Sequence, residues 1–444
     1  MRLLIIDPDR TGLDLAYRAA DAGHEVRWWM PPHPDGTYPK TGDGFPGITK
    51  VRRWQAEMPW AKQGLVVNLF NDRKITAELD RWRVGGYDIF GPTVKSARLE
   101  WERGEGMKLF EKAGMEVPAY HTFPTLEAAL KFAWKAQDPF VFKTLGDEED
   151  KSLSFVPSDP AELVGWLTAK QKAGTKLKGS CILQEKIDIL CECGISAWMG
   201  KDGFLADKFN LNFEHKKLMP GNYGPNTGEM GTVCKYINGD GQLPEMLLSF
   251  EEELLKLGHR GDTDIGGAIT KKGQFVPFEW SLRFGWPSTF ILFASHLSDP
   301  VEWMKAALAG HDELEVDTRV AVGVVMAQPP FPQKDENPHA LEGQVVTGIE
   351  AVWDHVSPVE LMMAKGPVMR NGKVAEELTY QSTGDYICCI TALGPDVHDA
   401  LPEVYAAVDR IKYPDPIVRN DIGKELEKEL PKVKALGFDE FPEW

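Results

Sequence analysis

The sequence predicts a multidomain α/β and α+β protein. Three observations carry this. The chain opens strand, turn, helix, strand; short apolar runs of strand length alternate with helical stretches; and short strands crowd the last third. Its 444 residues correspond to about three domains at roughly 150 residues each. Hydrophobic residues make up 43% and aromatics 10%, which supplies a core and excludes a disordered or fibrous chain.

The elements follow in order. Leu3 to Ile6 reads as a first strand, Asp7-Pro-Asp-Arg-Thr-Gly12 as a turn, Leu13 to Ala22 as a helix, and His24 to Trp28 as a second strand. This is the opening of a parallel sheet. Gly64 to Leu69 reads as a further buried strand, and Ile89-Phe90 ends another before the turn signal Gly91-Pro92. Pro92 and the charged stretch Lys95 to Lys112 suggest a boundary near 95, followed by helix. Phe140 to Lys143 is a short apolar strand ending in lysine, Ala161 to Leu167 a helix, and Ser180 to Glu185 a strand. Lys201-Asp-Gly203 turns a hairpin, and Ala268 to Val276 forms a second. Between them lie a Gly-rich loop, Gly221 to Gly231, and a helix, Glu251 to Gly258. From about Val316, short strands punctuated by Pro329-Pro-Phe-Pro332 suggest a smaller α+β domain that ends in the charged helix Lys424 to Leu430.

Fifty Lys and Arg against 67 Asp and Glu leave a formal charge of −17. That argues against broad binding to nucleic acid or anionic membranes. No apolar run approaches the roughly 18 residues of a membrane helix. The N-terminal stretch lacks the features of a signal peptide, so a cytoplasmic protein is expected. The six cysteines show no C-x-x-C pair; Cys191 and Cys193 share a strand face. Reduced thiols in strands fit them better than zinc.

Four segments carry candidate chemistry. In Gly224-Pro-Asn-Thr-Gly-Glu-Met-Gly231, the glycines let backbone N–H groups approach an anion, with Lys216 and Lys217 supplying charge. An ordinary surface loop with a solvated charge cluster gives the same pattern. On a strand ending near Leu282, Glu279, Ser281 and Arg283 share one face. A carboxylate beside an arginine suits a magnesium-bridged polyphosphate, and a plain ion pair suits it too. Lys143 at a strand end can hold a phosphate as a point charge. Gln184-Glu-Lys-Ile-Asp188 can read a purine with its backbone, and Glu192 can take ribose hydroxyls.

Taken together and in order, these segments resemble the ATP-grasp superfamily, specifically the glycinamide ribonucleotide synthetase (phosphoribosylamine–glycine ligase) family. Ile89-Phe-Gly-Pro-Thr93 with Leu99-Glu100 resembles the family's entry to its ATP-binding unit, and Phe140 to Lys143 its lysine strand. Gly224 to Gly231 differs from the family's G-P-N-T-G-G-M-G at one position. Glu214-His-Lys-Lys217 is similar to D-H-K-R, and Glu279 to Pro287 to E-x-N-x-R-F-G-D-P. Thr391-Ala-Leu-Gly394 and Arg419-Asn-Asp-Ile-Gly423 resemble its C-terminal T-A-L-G and K-D-I-G.

The resemblance implies an ATP-grasp fold. A Rossmann-like pre-ATP-grasp domain would span 1–95, and the ATP-grasp domain 96–314 with a mobile lobe at about 118–195. A small C-terminal domain would span 315–444. It implies an ATP-dependent carboxylate–amine ligase working through an acyl phosphate, with ATP and Mg²⁺ as cofactors. The substrates would be a small-molecule carboxylate such as glycine and an amine, in a monomer or homodimer. Lys143 and Arg283 would be catalytic, with Glu279 and Ser281 on the metal. Arg103, Lys143, Lys151, Gln184, Glu185, Ile187, Glu192, Lys216, Asn226, Thr227 and Gly228 would bind the nucleotide.

The departures concern the amine side first and the ATP side as well. The family's Gly-rich first turn is Asp7 to Gly12 here, its G-P-E segment is replaced around Asn68 to Asn71, and its late Gly-Gly-Arg is Gly384-Asp385-Tyr386. Acids occupy 147–150 after the lysine strand, Ser281 stands for an asparagine, and Trp286 and Ser288 stand for two acids. The expected enzyme therefore uses an amine other than phosphoribosylamine. The alternatives are a true phosphoribosylamine–glycine ligase and a family member that binds without catalysis.

Overall fold

A computed structural model describes residues 1–144, 153–177, 179–333, 337 and 339–443. The first unit is a parallel sheet of β1 (Arg2–Ile6), β2 (Glu25–Trp29), β3 (Ile48–Val51), β4 (Leu65–Asn68) and β5 (Ile89–Phe90). Its order is β3-β2-β1-β4-β5. Residues Leu3 to Ile6 and all of β4 are buried, as expected of central parallel strands covered on both faces. The strand order reverses between β1 and β4. In such sheets the crevice beyond the carboxyl ends at that reversal is where ligands bind. Edge strand β3 was not legible in the sequence: Ile-Thr-Lys-Val is half exposed and too short to show a period.

The second unit is an antiparallel sheet of β6 (Tyr120–Phe123), β7 (Phe140–Thr144) and β8 (Cys181–Glu185), with β8 central. Helices Leu126–Ala133 and Pro160–Lys172 pack on it through a separate apolar cluster that includes Phe142, Leu163, Leu167 and Leu183.

The largest sheet has nine strands. It takes β9 (Ile189–Met199), β10 (Phe204–Glu214), β13 (Gly231–Ile237), β14 (Gly261–Thr270) and β15 (Phe275–Ser281). The ribbon β11 (Lys217–Met219) and β12 (Tyr223–Asn226) interrupts this run, so part of the expected Gly-rich loop is strand. The sheet then continues past residue 315 with β16 (Val320–Ala327). β17 (Val345–Val346), β18 (Val356–Pro358), β19 (Leu361–Arg370), β20 (Lys373–Ser382), β21 (Tyr386–Gly394) and β22 (Ile417–Val418) follow. The full order is β15-β14-β9-β10-β13-β16-β21-β18, with β22 beside β16. β17, β20 and β19 form a separate ribbon.

The helical stretch expected after 95 is two helices, Val94–Trp101 and Arg103–Lys112, and the last helix runs Leu426–Ala435. All six cysteines are buried thiols. Among the described residues, no helix is long and apolar enough to cross a membrane.

Candidate active site

A cavity of about 1390 Å³ lies where the carboxyl ends of the first sheet meet one face of the nine-stranded sheet. Pro8, Asp9, Phe70 and Asn71, from the turns after β1 and β4, form one wall. The floor comes from strand alternation. Asp264 pairs directly with Ser281 and with Ser196, Gly266 with Glu279, and Ser196 with Asn210. Directly opposed residues share a face, so these residues, with Asp262, Asn212 and Glu214, form one polar surface. Cys191 and Cys193 alternate onto the other face and enter the core.

A cluster of cations sits at one end. Arg103 donates from Nη2 to Glu279 Oε2 at 2.7 Å. Lys216 Nζ lies 2.9 Å from Glu214 and 3.1 Å from Glu192. Lys143 Nζ rests over the Phe278 ring at 5.3 Å. Burial, with repulsion from Arg103 and then Lys216, pushes the Lys143 amine down to about 8, although Glu279 and Glu192 pull it back. Burial also opposes charge on Lys216, but Glu214, Glu192 and Glu279 outweigh it and hold its pKa well above the ordinary lysine value. Three cations crowded around three carboxylates are a cradle for a polyanion.

Arg283 is fixed from several sides. Its Nε donates to Glu100 Oε1 at 3.2 Å and its Nη1 to the Phe284 carbonyl at 3.1 Å, and its guanidinium stacks 4.6 Å from the Phe70 ring. Glu100 also accepts from Asn71 Nδ2 at 2.7 Å and from the Leu282 amide at 2.9 Å. The segment Asn68 to Asn71 thus positions the arginine. Asp7 faces inward: it accepts from the Gly12 amide at 2.8 Å and from Trp28 Nε1 at 3.1 Å, and burial raises its carboxyl to about 6. Of the two aspartates in that turn, Asp9 lines the cavity.

The Gly-Pro-Asn-Thr-Gly run folds back onto the segment between β10 and β11. The Thr227 amide and hydroxyl both donate to the Lys216 carbonyl, at 2.7 and 2.9 Å. That brings Pro225, Gly228 and Glu229 to the cavity wall. A pedestal supports the run. The buried Arg419 grips Asp421 through two bonds of 2.8 Å and donates to the Lys217 carbonyl at 3.0 Å and to Asn222 Oδ1 at 3.1 Å. The Gly423 amide donates to His215 Nε2 at 3.0 Å. The Arg419 to Gly423 motif is thus architectural.

The structure gathers Arg103, Lys143, Glu192, Lys216, Glu279, Ser281, Arg283 and Gly228 around one site. Asn226 ends β12 beside it. Gln184 and Glu185 sit on the three-stranded sheet and Ile187 in the connection from β8 to β9, all outside the cavity wall. Gln184 is buried in β8, and the Glu185 amide is used internally, donating to the Ala119 carbonyl at 2.7 Å. Lys151 and the acids 147–150 lie outside the described residues.

Sequence reading missed Asp262 and Asp264. Asp262 accepts from Thr289 Oγ1 at 2.9 Å, and burial raises its carboxyl to about 6. Asp264 accepts from Asn212 Nδ2 at 2.8 Å; burial, then Glu214 and Asp262, hold its pKa well above the carboxylate range. The signal was present as Asp262-Thr-Asp264 and Asn210-Leu-Asn-Phe-Glu214, both of period two.

The oxygen donors Glu279 and Ser281 on one strand face fit a magnesium ion, and the cation cradle fits a nucleotide's phosphates. No family model matches the chain. It is 28% identical to phosphoribosylamine–glycine ligase of Mesorhizobium japonicum over 78% of this chain and 79% of that protein. It is 26% identical to the same enzyme of Allochromatium vinosum over 95% of this chain and 98% of that one. Among solved structures, phosphoribosylamine–glycine ligase of Thermotoga maritima superposes with a TM-score of 0.65 at 19% identity, covering 95% of this chain and 100% of that chain. A biotin carboxylase–ATP complex from Campylobacter jejuni superposes at 0.62 and 12% identity, covering 98% and 97%. The chain shares the ATP-grasp fold of these structures and resembles phosphoribosylamine–glycine ligases along nearly its whole length.

Proposed function

We propose that the protein joins a small-molecule carboxylate to an amine at the expense of ATP. One observation carries this: Lys143, Arg103 and Lys216 converge on Glu279, two and four residues before Ser281 and Arg283 on the same cavity wall. A carboxylate oxygen attacks the γ-phosphorus and ADP leaves. The amine nitrogen then attacks the acyl carbon, inorganic phosphate leaves, and the nitrogen loses a proton.

Lys143, Arg103 and Lys216 hold the phosphates as fixed charges. Arg283, locked by Glu100 and Phe70, offsets the charge that builds on the transferring group. Glu279 and Ser281 would hold magnesium, which screens the phosphate oxygens when bound. The same reading gives Glu185 and Ile187 the adenine and Glu192 the ribose. The same reading divides the chain at 1–95, 96–314 and 315–444, with the nine-stranded sheet crossing the last boundary from β13 to β16.

The test is a screen of amino acids and amines for ADP release, followed by Glu279→Gln. The amide keeps the packing and removes the charge. Turnover is expected to fall on the order of a thousandfold, with the melting temperature unchanged. Hydroxylamine should trap a hydroxamate, and ¹⁸O from the carboxylate should appear in phosphate. Label retained wholly in the product, or Glu279→Gln at full rate, overturns the reading. The names of the relatives favour phosphoribosylamine as the amine, and rescue of a purine auxotroph would establish it. The acids of the floor oppose it, and no rescue is expected.

A further inference from the structure

The cavity floor beyond the cation cradle is rich in acceptors. Asp262 and Asp264 alternate on β14, and both line the cavity. Among the described residues, no lysine, arginine or histidine forms an ion pair with either; Arg283 and Lys216 act on them only at longer range. The nearby cations are committed elsewhere, Lys216 to Glu192 and Glu214, and Arg283 to Glu100.

The asparagines beside them extend the pattern. Asn210 and Asn212 are each 3% exposed, and both line the cavity. Their amide nitrogens are used, toward Ser196 Oγ and Asp264 Oδ1, both at 2.8 Å. The Oδ1 atom of each is buried without a hydrogen-bond partner. Buried acceptors of this kind cost free energy until a donor arrives. Trp286 adds a half-buried indole to the same cavity, and indole faces attract organic cations.

A phosphorylated ligand would bring about two negative charges toward two acidic side chains with no paired cation, whereas a cation there would let both ionise. A ligand carrying N–H donors and positive charge satisfies every group named. We propose that this floor takes the second cationic group of a di- or polyamino substrate (an ammonium or guanidinium), so that the amine joined in the ligation is a basic, non-phosphorylated compound. The proposal rests on the ligase reading above. It places the substrate's two nitrogens differently: the nucleophilic one faces the carboxylate near Arg283, and the distal one stays protonated against Asp262 and Asp264.

Calorimetry on the nucleotide-free full chain tests the binding, with 1,4-diaminobutane, 1-aminobutane, ribose 5-phosphate and magnesium chloride as separate probes. The expected result is that the diamine binds about tenfold tighter than the monoamine, the scale of one charge-assisted hydrogen bond. Asp264→Asn and Asp262→Asn should each remove that preference. ADP affinity and melting temperature, measured on both variants, show that they fold. Equal binding of the two amines, an unchanged preference in both folded variants, tighter binding of ribose 5-phosphate, or displacement of the diamine by magnesium alone each overturn the proposal. ADP release with each amine separates this from the ligase reading. Charge-dependent binding without ADP release supports the floor and defeats the ligase. ADP release at equal rates with both amines does the reverse.

Discussion

Lys143 sits among charges that pull in opposite directions. Arg103 and Lys216 repel its proton, Glu279 and Glu192 attract it, and burial decides the balance, leaving the amine at about 8. Only the protonated form attracts phosphate. Nucleotide affinity should therefore be highest below pH 8 and fall as pH rises through it, by up to about tenfold per unit if no other group compensates. Arginine stays charged throughout, so Lys143→Arg should flatten the profile while binding less well at pH 7. Calorimetric titration of ADP at pH 7, 8 and 9 on both proteins measures this. A wild-type profile flat across that range would show that Lys143 does not touch the phosphates.

Gly231 closes the Gly-Pro-Asn-Thr-Gly run, and its constraint is one of sheet assembly. Its φ is +155°, and an added Cβ would lie 2.5 Å from the Gly323 carbonyl on the neighbouring strand. Gly231→Ala should cost about 3 kcal/mol by parting β13 from β16, seen as a lower melting temperature. A loop glycine needed only for phosphate access would lower ADP affinity and leave melting unchanged. The elements differ in how well the sequence announced them. β1, β4 and β8 were legible because continuous apolar runs mark strands covered on both faces. The hairpin β19–β20 was not, although Asn371-Gly372 sits at its turn with positive φ at both residues. Gly366 and Pro367 break its alternation, and Met369, Val374 and Leu378 face outward. The motif residues of the site were legible because resemblance flagged them. The polar floor was not, since its period-two pattern is also that of any solvent-facing sheet. Only the arrival of the first domain over that face makes it the floor of a cavity.

Across the whole molecule, several carboxyls are held protonated well above their usual range. Burial comes first in each case: Asp7 and Asp262 rise to about 6, and Glu360 and Glu429 to about 7. His259 and His296, both pushed down to about 3 by burial, bind fewer protons in the native state than in the unfolded chain. Each of the four carboxyls lies above its unfolded value, so between about pH 4 and 7 these groups bind more protons in the native state. The stabilisation is present at the acid end and lost as pH rises through 6 to 7. The chain's formal charge of −17 adds self-repulsion that eases in the same direction. The melting temperature of Glu360→Gln relative to the wild type should thus rise from pH 6 to pH 8, a difference in which the histidines cancel. A difference that stays constant across that range would contradict the shift at Glu360.

The continuation of the large sheet past residue 315 bears on how the protein can be cut for study. β13 hydrogen-bonds to β16 along four residue pairs, from Gly231–Val324 to Cys234–Ala321. A fragment ending at 315 would leave the β13 edge bare, with a row of unmatched N–H and C=O groups. Such an edge recruits other strands. The first 315 residues expressed alone should therefore self-associate, and light scattering should find them as aggregates where the intact chain is dispersed. A monodisperse fragment would mean that this edge finds another cover. Dissection by deletion is thus poorly suited to this chain, and point substitution is the better instrument for locating its functions.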